Sequence, residues 1–427
     1  MRITKDQILD HNQKKSKEHE ESFSFLANQL TSQDLDVEVL VDQIASFQVA
    51  IPSWALGAGG TRFGRFPIGG EPGNLGEKIE DVGLIHTLNR SSGAISLHIP
   101  WDIPKDSAAI KELADDLDIT FDAVNSNTFQ DQEDQEYSYK FGSLSHTDSK
   151  VRKQAIEHNI EVINYGEALG SKALTVWLAD GSVFPGQQNF SKALERTHQS
   201  LEEIYDELPE DWKLLVEYKP YEPNFYSMVI PDWGTSFLLA NKLGEKAKTL
   251  VDLGHHLPNT NIEQIVSILL MERKLGGFHF NDSKYGDDDL TTGSIKPYQL
   301  FLIFCELIEG SNGKDDLEQN ISWMIDASHN VKDPLEDLLQ SVEAIKKSYA
   351  QALLIDREKL SEARQNNDPV AAQECLQEAF QTDVRPILRE ARIRSGAAAN
   401  PIGLFRELNV RKKLIDERGS DTIATGL

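Results

Sequence analysis

The chain has 427 residues, and its 69 acidic and 43 basic side chains give a formal net charge of −26. This balance argues against nucleic acid and against an anionic membrane surface as partners, because phosphate binding needs basic stripes. Only two cysteines are present, Cys305 and Cys375, which excludes a disulfide framework and a thiolate metal site. The N-terminus lacks the apolar core of a secretory signal, and no run of 18 apolar residues occurs, so we expect a cytoplasmic protein.

The predicted elements begin with a helical extension at 1–45 and continue into a region of alternating strands and helices at 46–345. The strand candidates are apolar through the middle, as is typical of strands covered on both faces. The eight candidates are 47–54, 94–99, 119–125, 173–179, 214–219, 248–253, 276–281 and 322–327. Eight strand–helix units in roughly 300 residues predict an α/β fold, a (β/α)8 TIM barrel. A doubly wound open sheet is the competing arrangement.

The final segment, 346–427, contains no strand candidate. Its amphipathic patterns predict helices around 356–364, 371–380, 386–393 and 403–417. A helical tail of this size has too little sequence for a core of its own. We therefore expect it to pack on the barrel or on a neighbouring subunit.

Carboxylates and histidines stand at the ends of the last four predicted strands and in the loops beyond them. They are Glu217, Asp252, His255, His279, Asp287, Asp289 and Asp326. In a TIM barrel they would converge on the C-terminal face, where active sites are built. Oxygen-rich ligands with one or two imidazoles suit Mn²⁺, Mg²⁺, Co²⁺ or Zn²⁺. A single Asp at a strand end is more often a helix cap, so the prediction depends on the set.

Seven ligands are too many for one ion and suit two. Their spacing suggests a partition between strand ends and loops. The strand-end group is Glu217, Asp252, His279 and Asp326, and the loop group is His255, Asp287 and Asp289. Asp252 is placed to bridge the two ions.

Three short motifs resemble those of the metal-dependent xylose isomerases. EYKPYEP at 217–223 resembles their Glu-x-Lys-Pro signature, DLGH at 252–255 their acid-x-x-His step, and DDD at 287–289 their Asp-x-Asp pair. Longer stretches, among them IPSWALGAGGTRFGRFP and GFHFNDSKYGDDDLTTGSIKPYQLFLIF, are more similar to the L-rhamnose isomerase branch. MIDASHN belongs to the same resemblance, which covers 47–329. His279 stands where xylose isomerases usually carry a carboxylate, and this favours the rhamnose branch.

The resemblance implies a structural ion on the strand-end group and a catalytic ion on Asp252 and the loop group. It further implies a homo-oligomer, with a tetramer favoured, that interconverts L-rhamnose and L-rhamnulose and acts on related aldoses. Two divalent ions per subunit are expected, Mn²⁺ first, with Co²⁺, Mg²⁺ or Zn²⁺ as alternatives. The resemblance favours a hydride shift between C1 and C2, whereas the residues alone leave an enediol route open.

Two alternative functions stay open at this stage. One is another barrel enzyme of this kind, such as a sugar 3-epimerase, which needs two opposed carboxylate bases. The other is a non-catalytic, metal-containing sugar-binding protein, which would leave Lys219 and the second-ion ligands unexplained. A related DNA endonuclease would need a basic groove, which the net charge of −26 disfavours.

The residues predicted to act in catalysis are His98, Lys219, Asp326 and Ser328. Lys219 shares a strand face with Glu217 and is placed to donate to O1 of a sugar, although a salt-bridged lysine is equally consistent. His98 is placed to assist ring opening with its imidazole oriented by Asp102, and a core histidine is the competing interpretation. Ser328 follows Asp326 and is placed to position a metal-bound water.

Aromatic residues at or just after strand ends are the predicted walls of a sugar site. They are Trp54, Trp101, Phe129 and Trp177, although many Trp residues in barrels only fill space. The glycine-rich stretch at 57–73 fits neither GxGxxG nor the Walker pattern, so a phosphate site is disfavoured. We expect a lid in which Phe63 or Phe66 covers the sugar, within one subunit or across a subunit boundary. A mobile surface loop is the alternative.

Overall fold

The computed structural model describes residues 1–58, 66–222, 225–311, 321–327 and 331–422. Its main sheet has eight parallel strands whose spatial order follows their order in the chain. They are β1 (Ile51–Pro52), β2 (Ala94–Ile99), β3 (Thr120–Ser126), β4 (Ala173–Val176), β5 (Lys213–Glu217), β6 (Ala247–Asp252), β7 (Leu275–Phe280) and β8 (Ser322–Ile325). A bridge between Ala50 and Met324 brings the last strand back to the first. The predicted TIM barrel is therefore confirmed.

Helices surround the barrel and extend it at both ends of the chain. Those before β8 are Lys5–Gln13, Ser16–Thr31, Val37–Ser46, Leu75–Asn89, Ser107–Asp116, Ser149–Leu169, Phe190–Asp206, Trp233–Leu243, Ile262–Met271 and Pro297–Gly310. Those after β8 are Pro334–Leu353, Arg357–Gln365, Pro369–Gln381, Arg385–Arg394, Pro401–Glu407 and Val410–Arg418. Of these helices, none is both long and apolar enough to cross a membrane.

Several strands end before the predicted residue, and two of these early endings shape the site. The stretch 47–54 gives a strand of two residues, because Ser53–Ala55 forms a 3₁₀ turn directly after it. The stretch 173–179 ends at Val176, and the chain then forms a small antiparallel pair between Gly181–Ser182 and Ser227–Met228. Both early endings release tryptophans, Trp54 and Trp177, from the sheet into the loops above it.

A layer of apolar side chains fills the barrel interior below the site. It consists of Ala123, Ala173, Leu215 and Leu250. Successive inward side chains in a strand are two residues apart, so the layer above it consists of Asn125, Thr175, Glu217 and Asp252. The change from apolar to polar residues along four strands thus places the polar groups at the C-terminal end of a closed core.

The helical tail packs on its own chain. Ile387, Leu388 and Ala391 share one apolar cluster with Leu26 and Leu40 of the N-terminal helices. Further along, Phe405, Val410 and Leu414 join the main core of the barrel. The predicted apolar faces of the tail helices are therefore buried within the chain itself. Contact of the tail with a neighbouring subunit stays a prediction.

Candidate metal and sugar site

Four side chains from four consecutive strands meet above the barrel core. One potential ligand atom from each of Glu217, Asp252, His279 and Asp326 lies within 4.8 Å of the others. His279 Nδ1 is 3.2 Å from Glu217 Oε1, 3.6 Å from Asp252 Oδ2 and 3.6 Å from Asp326 Oδ2. Glu217 and Asp252 end β5 and β6, and Asp326 directly follows β8. The structure thus brings together the whole strand-end group.

A second group shares Asp252 with the first. Ligand atoms of Asp252, His255 and Asp287 also lie within 4.8 Å of one another. His255 is held near the strand end by a turn in which its backbone N–H donates to the Asp252 carbonyl over 3.3 Å. Asp289 lines the same cavity, with a left-handed φ of 48°, and stands outside both of these groups. Asp252 is therefore placed between two possible ions, and Asp289 is beside the second.

The chemistry of these groups fits divalent cations. His279 Nδ1 and His255 Nδ1 are buried and form no hydrogen bond with any described residue, although Glu217 Oε1 lies 3.2 Å from each. Atoms directed at a common centre, as metal ligands are, approach one another without forming hydrogen bonds. Several buried carboxylates also repel one another unless a positive charge is present. The donor set of carboxylate oxygens and imidazoles is one that Mn²⁺ and related ions accept.

Electrostatics show how strongly this region attracts positive charge. Burial lowers the pKa of His279, but the neighbouring carboxylates, Glu217 first among them, raise it to about 10. Burial and the adjacent carboxylates raise the pKa of Asp326 to about 6, although His279 opposes them. Burial would raise the pKa of Asp287 as well, but His255 and Lys219 hold it well below its usual range. The site concentrates negative charge in an environment where burial makes that charge costly.

Neighbouring donors fix the orientation of two of the carboxylates. Asn281 Nδ2 donates to Asp252 Oδ1 over 3.0 Å, and the Gly254 N–H donates to the same oxygen over 2.7 Å. Trp54 Nε1 donates to Asp326 Oδ1 over 2.9 Å. Such partners hold ligands in place around a metal. Asn281 was not among the predicted site residues, although its position two residues after His279 places it on the same strand face.

Lys219 lies at the centre of a charged cluster on the cavity wall. Its Nζ is 2.6 Å from Asp287 Oδ2, forms an ion pair with Glu222, and lies 5.2 Å from the centre of the Trp177 ring. Lys219 is thus both salt-bridged and part of the cavity lining. Glu222 was not among the predicted site residues either, although it lies in the motif EYKPYEP.

A cavity of about 320 Å³ opens above these groups. The four predicted aromatic residues, Trp54, Trp101, Phe129 and Trp177, all line it. The His98 imidazole lies among three of them, with ring-centre distances of 4.3 Å to Trp101, 5.4 Å to Trp54 and 5.5 Å to Phe129. Charged groups and aromatic rings therefore face each other across one volume suited to a small polyol.

The expectation that Asp102 orients the His98 imidazole is wrong. The Asp102 carboxylate accepts from Ser53 Oγ, from Lys78 Nζ over 2.6 Å and from the backbone N–H of His98 over 2.8 Å. His98 Nδ1 has no hydrogen-bond partner among the described residues. Burial lowers the pKa of His98 to about 3, so its imidazole is neutral near pH 7.

Three predicted site residues remain, and only Phe66 lies in the part of the chain that the structure describes. Phe63 and Ser328 lie outside the described residues. Phe66 is 62% exposed and is not part of the cavity lining in this chain. Their assigned roles stay predictions.

Comparison with known proteins identifies the class to which this fold and site belong. Residues 90–302 match the sequence profile of a family described as a xylose isomerase-like TIM barrel. A probable sugar isomerase of Rhizobium meliloti is 51% identical over 93% of this chain and 92% of its own. Another probable sugar isomerase, from Mesorhizobium japonicum, is 48% identical over 99% of this chain and 98% of its own. The chain therefore belongs to the xylose isomerase-like TIM barrel family.

A solved structure of an L-ribulose 3-epimerase has a similar fold. It aligns with a TM-score of 0.51 at 14% identity and covers 74% of this chain and 99% of its own length. At this identity the likeness concerns the fold alone.

Proposed function

We propose that the protein is a metal-dependent aldose–ketose isomerase that acts on L-rhamnose and related aldoses. One observation carries the proposal. Two potential ligand groups share the buried Asp252, and their other members line a cavity of about 320 Å³. The probable sugar isomerases that cover nearly the whole chain support the reaction class. The choice of L-rhamnose depends on the sequence motifs.

The proposed metal ligands divide as their positions suggest. Glu217, Asp252, His279 and Asp326 would hold the first ion, and Asp252, His255, Asp287 and Asp289 the second. Mn²⁺ is the favoured ion, with Co²⁺, Mg²⁺ and Zn²⁺ as alternatives. When bound, the two ions would polarise the sugar oxygens O1 and O2 and stabilise the negative charge that develops on O2.

The protein side chains would bind the sugar and handle its proton. In a hydride shift, hydrogen moves from C2 to C1 with its electron pair, and the proton that leaves O2 reappears on O1. Lys219 is the proposed donor to O1, and Glu222 and Asp287 hold its ammonium group beside the cavity. Neutral His98 would accept a hydrogen bond from the sugar during ring opening. Ser328, two residues after Asp326, would orient a water molecule there.

The aromatic walls would select the substrate by stacking and by excluding water. Sugar C–H faces stack on aromatic rings, which suits Trp101, Trp177 and their neighbours in the cavity lining. We further propose a homo-oligomer, with a tetramer favoured, in which Phe63 or Phe66 covers the cavity of a neighbouring subunit. The high exposure of Phe66, 62%, supports that arrangement. The proposed partners are therefore a small aldose and further copies of the chain, without nucleic acid or membrane.

A metal add-back assay tests the proposal. The protein is stripped with chelator, supplied separately with Mn²⁺, Co²⁺, Mg²⁺ or Zn²⁺, and assayed with L-rhamnose, L-mannose, D-allose and D-xylose. We expect ketose formation to be restored by at least one metal, with Mn²⁺ most effective and L-rhamnose the best substrate. No conversion of any aldose with any metal would end the isomerase proposal. In heavy water, extensive label at C1 of the product would exclude a pure hydride shift.

A sugar 3-epimerase is the second candidate. Glu217 at the end of β5 and Asp326 directly after β8 give the site two carboxylates from different strands, which lie 3.2 Å and 3.6 Å from His279 Nδ1. An epimerase removes a proton at C3 on one face and returns one on the other, so it needs two such bases. Incubation with ketoses separates the two functions. An epimerase yields a second ketose without aldose, whereas the proposed isomerase yields the aldose.

A further inference from the structure

The seam between the first and last strands is the least extensively paired part of the barrel. β1 has only two residues, and Ala50 makes the bridge to β8. The Ala50 N–H donates to the Trp323 carbonyl over 2.6 Å, and the Ile325 N–H donates to the Ala50 carbonyl over 3.1 Å. With so few backbone hydrogen bonds between them, the two strands do little to fix the loops that follow them. One of those loops begins with Trp54, and the other follows Asp326.

The C-terminal helix Val410–Arg418 contacts both of these loops through one side chain. Arg411 donates from Nε and Nη2 to the Asp333 carboxylate over 2.7 Å and 2.9 Å. Its Nη1 donates to the backbone carbonyls of Gly69 and Gly70 over 3.2 Å and 3.3 Å. The Arg411 side chain is 16% exposed. A two-point contact with a carboxylate fixes the guanidinium plane, so Arg411 relates the two loops geometrically.

The glycine-rich loop is adapted to this contact. Gly69 and Gly70 have φ angles of 80° and 68°, and a Cβ on either would lie within 2.9 Å of Ser420 or 2.7 Å of Leu414. The Gly70 N–H donates to the Gly419 carbonyl over 2.9 Å. The next amide, that of Glu71, donates to Thr422 Oγ1 over 2.9 Å. Two glycines therefore allow the loop to approach the helix closely.

On the side of the first strand, the Arg411 contact is connected to the cavity by a short path. The buried Glu71 carboxylate accepts from the backbone N–H groups of Ala58 and Ile68, both over 3.3 Å, and so joins the two ends of the loop. Ala58 follows the turn that carries Trp54. Asp333 caps the helix Pro334–Leu353 after β8. Trp54 in turn donates to Asp326, which directly follows β8, over 2.9 Å.

We propose that Arg411 is a positioning residue for the site. It ties the loop after β1 to the loop after β8 and thereby holds Trp54 against Asp326. The C-terminal helix is then a part of the catalytic architecture, although it contributes no residue to the cavity. The catalytic consequence rests on the proposed isomerase function, whereas the ordering of the loops does not.

A set of three variants tests this role. Arg411→Ala removes the tie, and Arg411→Lys keeps the charge without the two-point geometry. Arg406→Ala is the matched control, because Arg406 lies on the same tail and pairs with Glu336, three residues beyond Asp333. Hydrogen exchange is measured over 51–58 and 66–73, and KM and kcat are measured with the aldose that the wild type converts best. The free energy of unfolding is measured for all three.

We expect Arg411→Ala to accelerate exchange in both segments by about tenfold and to raise KM more than it lowers kcat. Arg411→Lys should recover part of each effect, and Arg406→Ala should resemble the wild type. Exchange in Arg411→Ala equal to that in Arg406→Ala would overturn the proposal. If Arg411→Ala does not fold, Asp333→Asn tests the same tie with a smaller change. A wild type that converts no aldose would refute the isomerase function, and the exchange result would still decide the role of Arg411.

Discussion

The Trp54 indole N–H donates to Asp326 Oδ1 over 2.9 Å and so connects the loop after the first strand to the end of the last. Trp54 therefore lines the cavity with its ring and donates a hydrogen bond to a proposed metal ligand. Because donors of this kind orient metal ligands, their loss typically lowers metal affinity by about 10- to 100-fold.

Trp54→Phe tests the first consequence of that contact. The ring is kept in the cavity and the hydrogen bond is lost, so we expect Mn²⁺ affinity to fall by about tenfold or more. The measurement is a Mn²⁺ titration in the absence of sugar, which removes any effect of the wall on substrate. Trp101→Phe is the control, since Trp101 lies on the same aromatic wall and packs against His98 with ring centres 4.3 Å apart. Equal Mn²⁺ affinity in the two variants would refute the orienting role of Trp54.

Asp289→Asn tests the proposed second ion. The substitution removes a charge beside Asp287 and keeps the size of the side chain. We expect bound Mn²⁺ to fall from two ions to one and kcat to fall by at least about 100-fold, with an unchanged free energy of unfolding. Metal content and steady-state kinetics are the measurements.

Asp288→Asn is the matched control for that variant. Asp288 accepts hydrogen bonds from the Lys284 and Tyr285 N–H groups, so it stabilises its own loop and does not line the cavity. Asn retains an acceptor oxygen for these bonds, and the control should keep two ions and near-normal turnover. Two ions and wild-type turnover in Asp289→Asn would remove Asp289 from the site.

Glu222→Gln tests the orientation of Lys219. Lys219 is held by Glu222 and by Asp287, so loss of one carboxylate should allow its ammonium group to leave the position beside O1. We expect kcat to fall by about 10- to 100-fold, with a smaller change in KM. Glu195→Gln is the control, because Glu195 also follows its lysine partner by three residues but lies on the surface. Its Oε2 is 2.7 Å from Lys192 Nζ. Equal kinetics for the two variants would show that the Glu222 pair does not act in the reaction.

His86 is expected to make the free energy of unfolding fall as the pH is lowered. Burial, followed by the nearby Arg90, lowers the pKa of His86 to about 4, whereas an unfolded histidine titrates near 6.5. The unfolded chain therefore binds this proton more readily, and the stability contribution is complete above pH 6.5 and is lost as the pH falls toward 4. The effect between pH 7.5 and 5 should be at most about 2 kcal/mol.

The measurement is urea unfolding of the wild type and His86→Leu at both pH values. The wild type should lose more stability on acidification than the variant does. An identical loss in the two proteins would show that His86 does not contribute to it.

Local pattern was sufficient to predict the barrel and the positions of the charged groups. Apolar runs set the strands, and alternation of side chains placed Glu217 and Asp252 above an apolar layer. Contacts distant in sequence could not be predicted in this way. Asp102 is near His98 in the chain, yet its side chain pairs with Lys78 from the helix Leu75–Asn89. Arg411 meets a loop 341 to 342 residues earlier, and no local pattern shows that contact.

The length of β1 was mispredicted for a local reason. FQVAIPSW is apolar almost throughout, which is typical of a buried strand, but a 3₁₀ turn at Ser53–Ala55 ends the strand after Pro52. Hydrophobicity predicts burial in both conformations and does not distinguish them. The turn is what allows Trp54 to reach Asp326.

Anomalous diffraction from crystals grown with Mn²⁺ shows whether two ions bind at the carboxylate–histidine groups. Data are collected on both sides of the manganese absorption edge, and the positions of the anomalous peaks are compared with the carboxylate–histidine groups. We predict two peaks, one within ligand distance of Glu217, Asp252, His279 and Asp326 and one at Asp252, His255 and Asp287. Crystals of the Mn²⁺-supplied protein without a peak between these side chains would exclude the proposed two-metal site.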